Sequence, residues 1–587
     1  MLTTLAAPAF AGTWDIENGD ITISAGETGN DVTQNNETTY GDTGTVITGK
    51  SDKNTVTIEA ENKGDKVEVT LKDVNIEATG GKAAVSVTGS GNTTIELDGD
   101  NELKSGAGHA GLEHNKTDTS GELTIQDKDN NGSLEAAGGF KGAGIGSAGS
   151  NDAQVKITGG NITATSDDWG AGIGSGSYGT GTVEITGGEI NATGGYLGAG
   201  IGGGCNGSGN VTISGGTITA AGSDGAAGIG GGYYNGATVT ITGDAVIKNA
   251  SSTKYGAGIG GGNGSDGNVT ISGNAKIENA TGGYGAAGIG GGAFSSPDKI
   301  GNGNVVIKDN AKIDNVQGGA YGAGIGGGIY GLSNVTIEGN TKVNATGGAG
   351  GAAIGGGAGA ENNSDNNGNQ ITIKSNENGS PTINAVGGGT DEGEKIVIGG
   401  AGIGAGCESN ADADITLEGK VTITATAGKD NVAIGANGIE QEFSGLAEGS
   451  SITRYDPEGN DITLPTDPVP AVPSSSGGSS ADASVQESVF PGLVVTDKDG
   501  QRISYTSIRD NNVLSLRVGR FTASLRASLA TLRQLRAEGI DTITFQTILC
   551  STTLSVDELL VMGGEDTEVV LTHHIRSSTL TVGGKAV

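Results

Sequence analysis

Eleven of the chain's 20 aromatic residues keep a fixed distance from an isoleucine that recurs inside a glycine-rich stretch. Phe140, Trp169, Tyr196, Tyr255, Tyr284 and Tyr321 stand four or five residues before Ile145, Ile173, Ile201, Ile259, Ile289 and Ile325. Tyr178, Tyr233, Tyr234, Phe294 and Tyr330 stand four or five residues after such an isoleucine. Rings repeated at a constant phase of a repeating unit fall into stripes on a folded surface. A flat ring with an apolar face and a polar edge stacks well on ring-shaped, hydroxyl-rich ligands such as sugars. The plainer use is that the rings cap the corners of the fold and stack on one another. The spacing predicts two stripes flanking a nearly bare glycine-rich floor, with Asn and Ser close by.

Charged chemistry is sparse in the same region. No arginine precedes Arg454, and no histidine falls between 115 and 453. Asp167-Asp168 is the one adjacent acidic pair of the repeats before the 390s. Cleaving a polysaccharide by elimination needs a basic residue beside carboxylates, and hydrolysis needs paired carboxylates on one face. Neither constellation stands out, so no catalytic residue is assigned. One metal site is raised: Asp127-x-Asp129-x-Asn131-Gly132 begins like a calcium loop. The position of its closing glutamate is Gly138, and a polar turn explains the same residues. Calcium is the single cofactor the sequence suggests. His573-His574 would face opposite sides of a strand and make a poor chelate.

The elements that position these residues follow from the repeat. The central isoleucine of Gly-Ala-Gly-Ile-Gly-Gly-Gly (Gly198–Gly204) returns at Ile229, Ile354, Ile403 and Ile434 as well, and Val85 and Leu112 take its place upstream. The spacing runs from 27 to 49 residues and is mostly near 28 to 30, the range of solenoid repeats. Between two such stretches lie two short alternating segments, as in Asn210-Val-Thr-Ile-Ser-Gly-Gly-Thr-Ile-Thr-Ala-Ala221. Val211, Ile213 and Ile218 alternate with threonines, so each segment is a strand with one buried face. Strand, turn, strand, turn, strand, turn in one period predicts a coil of a parallel β-helix, each strand pairing with its counterpart one coil on. The glycines allow close backbone approach and tight bends. No helix and no lysine follow them as a phosphate loop would require.

Composition supports this reading and sets the boundaries. The chain has 587 residues, 115 of them glycine, and a net charge of −34. Residues 489–587 are balanced, so the acidity belongs to the repeats. It opposes nucleic acid and anionic lipid. No apolar run is long enough to cross a bilayer. Cys205, Cys407 and Cys550 form no disulfide framework. Residues 1–11, ending in Ala9-Phe10-Ala11, resemble the end of a secretory signal and imply export. Residues 12–80 are expected to cap the first coil, 81–450 to form regular coils, and 451–488, rich in Pro, Ser and Gly, to form a linker. In 489–587 we expect a small α+β domain with a hairpin around Asp499-Gly500, a helix over Ser524–Glu538 and a short helix near Ser555–Met562.

The motifs Gly-Ala-Gly-Ile-Gly-Gly-Gly and Val-Thr-Ile-Ser-Gly-Gly-Thr-Ile-Thr-Ala resemble those of glycine-rich, right-handed parallel β-helix surface proteins of anaerobic Gram-positive bacteria. Many of these are described as carbohydrate-binding or adhesin-like. The resemblance spans roughly residues 20–440. It implies an extracellular, monomeric, non-catalytic protein that binds polysaccharide or host and cell-wall glycans, in some cases with calcium. Two other functions fit the same fold: a polysaccharide lyase or hydrolase, and a stalk that presents the C-terminal domain.

Overall fold

Alternation of Val and Ile with Thr produces strands with one apolar face, and stacking coils buries that face continuously. In the computed structural model, residues 11–586 are described except 118, 294–298, 363–367, 390–397, 469–492, 498–501, 504, 511, 519–521, 548–549, 566 and 575–576. The chain is 48% strand and 3% helix, and its repeats wind into a right-handed parallel β-solenoid of about 16 turns. It divides into two compact units, Met1–Asp461 with Pro468–Pro470, and Ile462–Asp467 with Ala471–Val587.

One coil consists of Gly209–Ile213, Thr217–Gly222 and Ile229–Gly230. Val211 pairs with Val183 and Val239, Ile213 with Ile185 and Ile241, and Ile229 with Ile201 and Ile259. All of these side chains are at most 2% exposed. Each buried Val or Ile contributes roughly 1.5–3 kcal/mol before the entropy of ordering is subtracted. The isoleucine ladder runs upstream through Leu112 and Val85 to Val56 and Ile21, as the degenerate motifs predict. From Ile145 onward the next residue is always glycine, with φ between 131° and 147°. A Cβ on Gly202 would stand 2.1 Å from the Gly230 carbonyl oxygen, so no other residue fits.

A solenoid must stop its ladders, because an open end is a row of unpaired backbone groups. At the N-terminus, Ile21–Ala25 pairs antiparallel with Asn30–Gln34, which pairs with Glu37–Asp42. Buried Asp42 accepts from the Gly12 N–H at 2.9 Å and the Trp14 indole N–H at 2.8 Å. At the far end the Glu440 carboxylate accepts from the N–H groups of Ala433 (2.6 Å) and Ile434 (3.1 Å). One coil earlier, the equivalent N–H groups of Gly402 and Ile403 reach carbonyls of the following coil. Glu440 therefore stands where the missing coil's carbonyls would be. Arg454, fully buried, donates to Glu440 Oε2 at 2.5 Å and to the Gln441 carbonyl at 2.8 Å, and its guanidinium lies over the Phe443 ring. The last ladder strand is Ser451–Tyr455, so the solenoid ends one strand beyond the expected 450. Replacing Glu440 with Ala would strand the buried guanidinium. We expect a loss of about 3–5 kcal/mol, read as faster amide exchange in the coils around Ile403 and Ile434.

The second unit has a five-stranded and a four-stranded sheet. One expectation there needs correction. Ala523–Ser528 is a strand, and the helix is shorter, Leu529–Ala537, capped by the Ser528 hydroxyl accepting from Thr531 N–H. Ala523, Leu525 and Ala527 are buried with a period of two, and helical spacing begins only at Leu529, Leu532 and Leu535. Val494–Thr496 pairs with that strand, and among the described residues an antiparallel Thr496–Arg502 bridge and the Ile503 N–H donating to the Val495 carbonyl at 3.0 Å join the two arms of the expected hairpin. The hairpin's Asp499-Gly500 lies outside the described residues. His573 is fully buried and His574 exposed, as strand alternation predicts. His573 Nδ1 and Nε2 face the Thr547 and Thr552 hydroxyls at 3.1 and 2.9 Å, and the ring packs on Phe545. Burial, then the neighbouring His574, holds its pKa below the ordinary value. The unfolded state thus binds the extra proton more readily. This contribution to stability is complete above about pH 6.5 and is lost as pH falls through the lower folded value. Denaturant titrations at pH 7.5 and 5.5 should show this loss for the native unit and a smaller one for His573→Gln.

Candidate functional site

The glycine-rich stretch is an arch, and the arch decides where the aromatic residues go. In the coils from Ile145 to Ile403 the alanine two residues before the isoleucine donates its N–H to the carbonyl two residues after it. Ala199 to Gly203, Ala227 to Gly231, Ala257 to Gly261 and Ala287 to Gly291 are all 2.9 Å. This hydrogen bond pinches the chain, drives the isoleucine inward and brings the two flanks together. The residue four after the isoleucine then donates to the carbonyl of the residue four before the previous coil's isoleucine. Cys205 to Trp169 is 2.7 Å, Tyr233 to Leu197 3.1 Å, Asn263 to Gly225 2.7 Å, Ala293 to Tyr255 2.7 Å and Ala358 to Tyr321 2.8 Å. The expectation of two stripes beside a bare floor is therefore corrected. Every residue of Gly198–Gly204 is buried, and the stripes merge into one ridge along the solenoid.

Each pinched flank carries a residue in the left-handed region. Four before the isoleucine these are Lys141, Trp169, Leu197, Tyr255, Tyr321 and Asp430, at φ 56–73°; other coils have Gly225, Gly285 and Gly350 there. Five after it they are Ser150, Tyr178, Asn206, Tyr234, Tyr330 and Glu408, at φ 51–67°, with Gly264 and Gly359 elsewhere. A bulky side chain at positive φ is uncommon and costs of order 1–3 kcal/mol. Six aromatics occupy positions that glycine fills without strain in other coils. Sequence spacing located these rings but carried no sign of their backbone conformation.

Rings of successive coils touch. Phe140 and Trp169 have centroids 5.3 Å apart, Tyr255 and Tyr284 6.1 Å, and Tyr284 and Tyr321 5.6 Å, the two tyrosine pairs meeting edge to face. The Tyr233 and Tyr234 hydroxyls hydrogen-bond at 2.8 Å, and Tyr233 lies across the bare Gly225. Burial, then that hydrogen bond, pushes the Tyr233 hydroxyl pKa upward. The rings thus stack on one another without forming a coplanar platform. They also remain open to solvent: Tyr178 is 58% exposed and Tyr196 50%, and Phe140 and Tyr284 are exposed as well. The ammonium groups of Lys141, Lys254 and Lys299 lie 4.0–5.2 Å from ring centroids. Asp168, Ser177 and Asn263 each place a buried polar atom here without a partner among the described residues. Burial, then Asp167, holds the Asp168 carboxyl above its usual range. Phe294 lies outside the described residues, as do parts of the inserted loops near 361–370 and 389–394.

The residues of the calcium expectation fall on a turn. Asp127 Oδ1 accepts from Asn131 N–H at 3.2 Å and Oδ2 from Gly132 N–H at 2.9 Å, while the Asn131 amide donates to Asp98. Asp129 is exposed. Asp127 and Asn131 brace a turn between two strands, and among the described residues no group of three His, Cys, Asp or Glu could hold a metal.

A family model described as a β-helix repeat matches residues 155–177, 183–205, 211–233 and 269–293. Each match starts at the first inward valine of a coil and ends at the residue four past its isoleucine, where the flanks join. With the coil geometry, this makes the chain a parallel β-helix protein. No curated protein and no solved structure matches it. Cys205 and Cys407 both sit at that joining position, buried and unpaired, with burial the main cause raising each thiol to about 11. At pH 8 almost no thiolate is present. Iodoacetamide should spare both in the folded chain and alkylate both in guanidinium; modification without unfolding would contradict this seating.

Proposed function

We propose that the protein binds polysaccharide outside the cell through the aromatic ridge and does not cleave it. The observation that carries this reading is the set of aromatic residues held at positive φ. A chain with 115 glycines, which uses glycine at the same positions in other coils, places Trp169, Tyr178, Tyr234, Tyr255, Tyr321 and Tyr330 there against a backbone cost. Strain that the fold does not require, concentrated on one exposed ridge, marks a surface kept for another molecule. Half-exposed Tyr and Trp suit a hydroxyl-rich ring, offering an apolar face with a polar edge. Edge-to-face contact between the rings favours the alternative, a stalk in which they serve stability alone.

Trp169→Gly and Tyr255→Gly separate the two. Glycine relieves the strain, so binding predicts variants whose unfolding free energy stays within about 1 kcal/mol of the parent. It also predicts lost retention on whichever plant or mucin polysaccharide holds the full chain. Tyr196→Ala, at a highly exposed ring, should weaken retention likewise. Destabilised glycine variants, with no retention of the parent on any glycan, would establish the stalk. Release of shortened chains from a retained polysaccharide would establish an enzyme.

A further inference from the structure

The ridge has a direction, a repeat and a charge, and together these specify more than sugars in general. Its rings belong to consecutive coils from Ile145 to Ile325, six ladder steps in which each isoleucine pairs with the next. At about 4.8 Å per step the ridge is about 29 Å long. Ring centroids of successive coils lie 5.3–6.1 Å apart in three pairs, so the aromatic repeat follows the coil repeat. That rise is close to one pyranose unit in a straight, equatorially linked chain. It does not suit a chain whose linkages coil it into a helix, since successive rings would leave the line. The flanking ions nearly cancel: Lys141, Lys254 and Lys299 stand against Asp167, Asp168 and Asp224, with Lys254 and Asp224 paired at 3.4 Å. The rest of the solenoid is strongly acidic. A polyanionic glycan would meet repulsion with no cationic track to offset it.

We infer that the ridge takes an extended, uncharged, equatorially linked polysaccharide lying parallel to the solenoid axis, about one sugar per coil. The inference rests on the proposed glycan-binding reading and narrows it to chain shape and charge. Such a site has no deep anchor, so affinity accumulates along the line. Each added unit should tighten binding about two- to ten-fold until the chain covers about six coils, and longer chains should add little.

The full chain is titrated calorimetrically with di- to octasaccharides of the β-1,4-linked gluco, manno and xylo series. Maltohexaose, with glucose in a coiling α-1,4 linkage, and hexagalacturonate, its chain charged, serve as counter-probes. We expect at least one extended series to show the length-dependent climb and plateau, with both counter-probes at least ten-fold weaker than that hexamer. Trp169→Gly and Tyr321→Gly, near opposite ends of the ridge, should each shorten the length at which affinity levels off. A disaccharide binding as tightly as a hexasaccharide overturns the inference, as does preference for either counter-probe, or failure of all three extended series. If retention on some polysaccharide still depends on Trp169 and Tyr255, those results leave glycan binding standing. Absence of all retention removes both.

Discussion

One hydrogen bond, repeated in coil after coil, sets the form of the solenoid: the alanine N–H donating to a carbonyl four residues further on. It closes the arch that turns each isoleucine inward, and it forces the glycine after the isoleucine to a φ that no side chain tolerates. By pinching the arch it also brings its two flanks within hydrogen-bonding distance across coils. The buried isoleucine ladder and the outward aromatic ridge are thus two consequences of one turn. Neither could shift without the other.

The same geometry explains why the ridge is unusual energetically. Elsewhere in the coils the cheapest residue for each backbone state is the one present: valine and isoleucine in strands, glycine at positive φ, Asn206 where a left-handed residue needs a side chain. The aromatics depart from that rule on this edge, as Lys141, Leu197, Ser150 and Glu408 do at the same two positions. Beneath them Ser177, Asn263 and Asp168 have buried polar atoms without a partner among the described residues, as Thr93, Glu96 and Thr341 do elsewhere in the coils. Backbone cost gathered on one exposed edge, on a scaffold rigid enough to bear it, is characteristic of a surface shaped for contact rather than for stability.

Much of this was legible in the sequence. The period, three strands per coil, the inward Val and Ile ladders and even the stand-in roles of Val85 and Leu112 follow from alternation and spacing alone. The aromatic phase was visible too, but its meaning was not. Linear distance from the isoleucine does not reveal that residues four before and four after it lie side by side, because a long-range backbone hydrogen bond decides that. The Glu440–Arg454 terminator was equally hidden. A lone arginine after 453 residues without one reads as a change of composition, and only the coil geometry shows it replacing absent carbonyls. In the C-terminal unit Leu525 fitted both a helical and an alternating pattern, and burial of Ala523 and Ala527 on the same face decided for the strand.

The most direct test of this account is amide hydrogen exchange at the joining positions, Ser177, Cys205, Tyr233, Asn263 and Ala293. Each of these N–H groups donates to a carbonyl on the opposite flank of the arch. The account predicts that they exchange as slowly as the core amides of Val183, Val211 and Val239, despite lying in corners beside exposed rings. Exchange at loop-like rates would mean that the flanks are not pinned together. The single ridge, and all that is built on it, would then be contradicted.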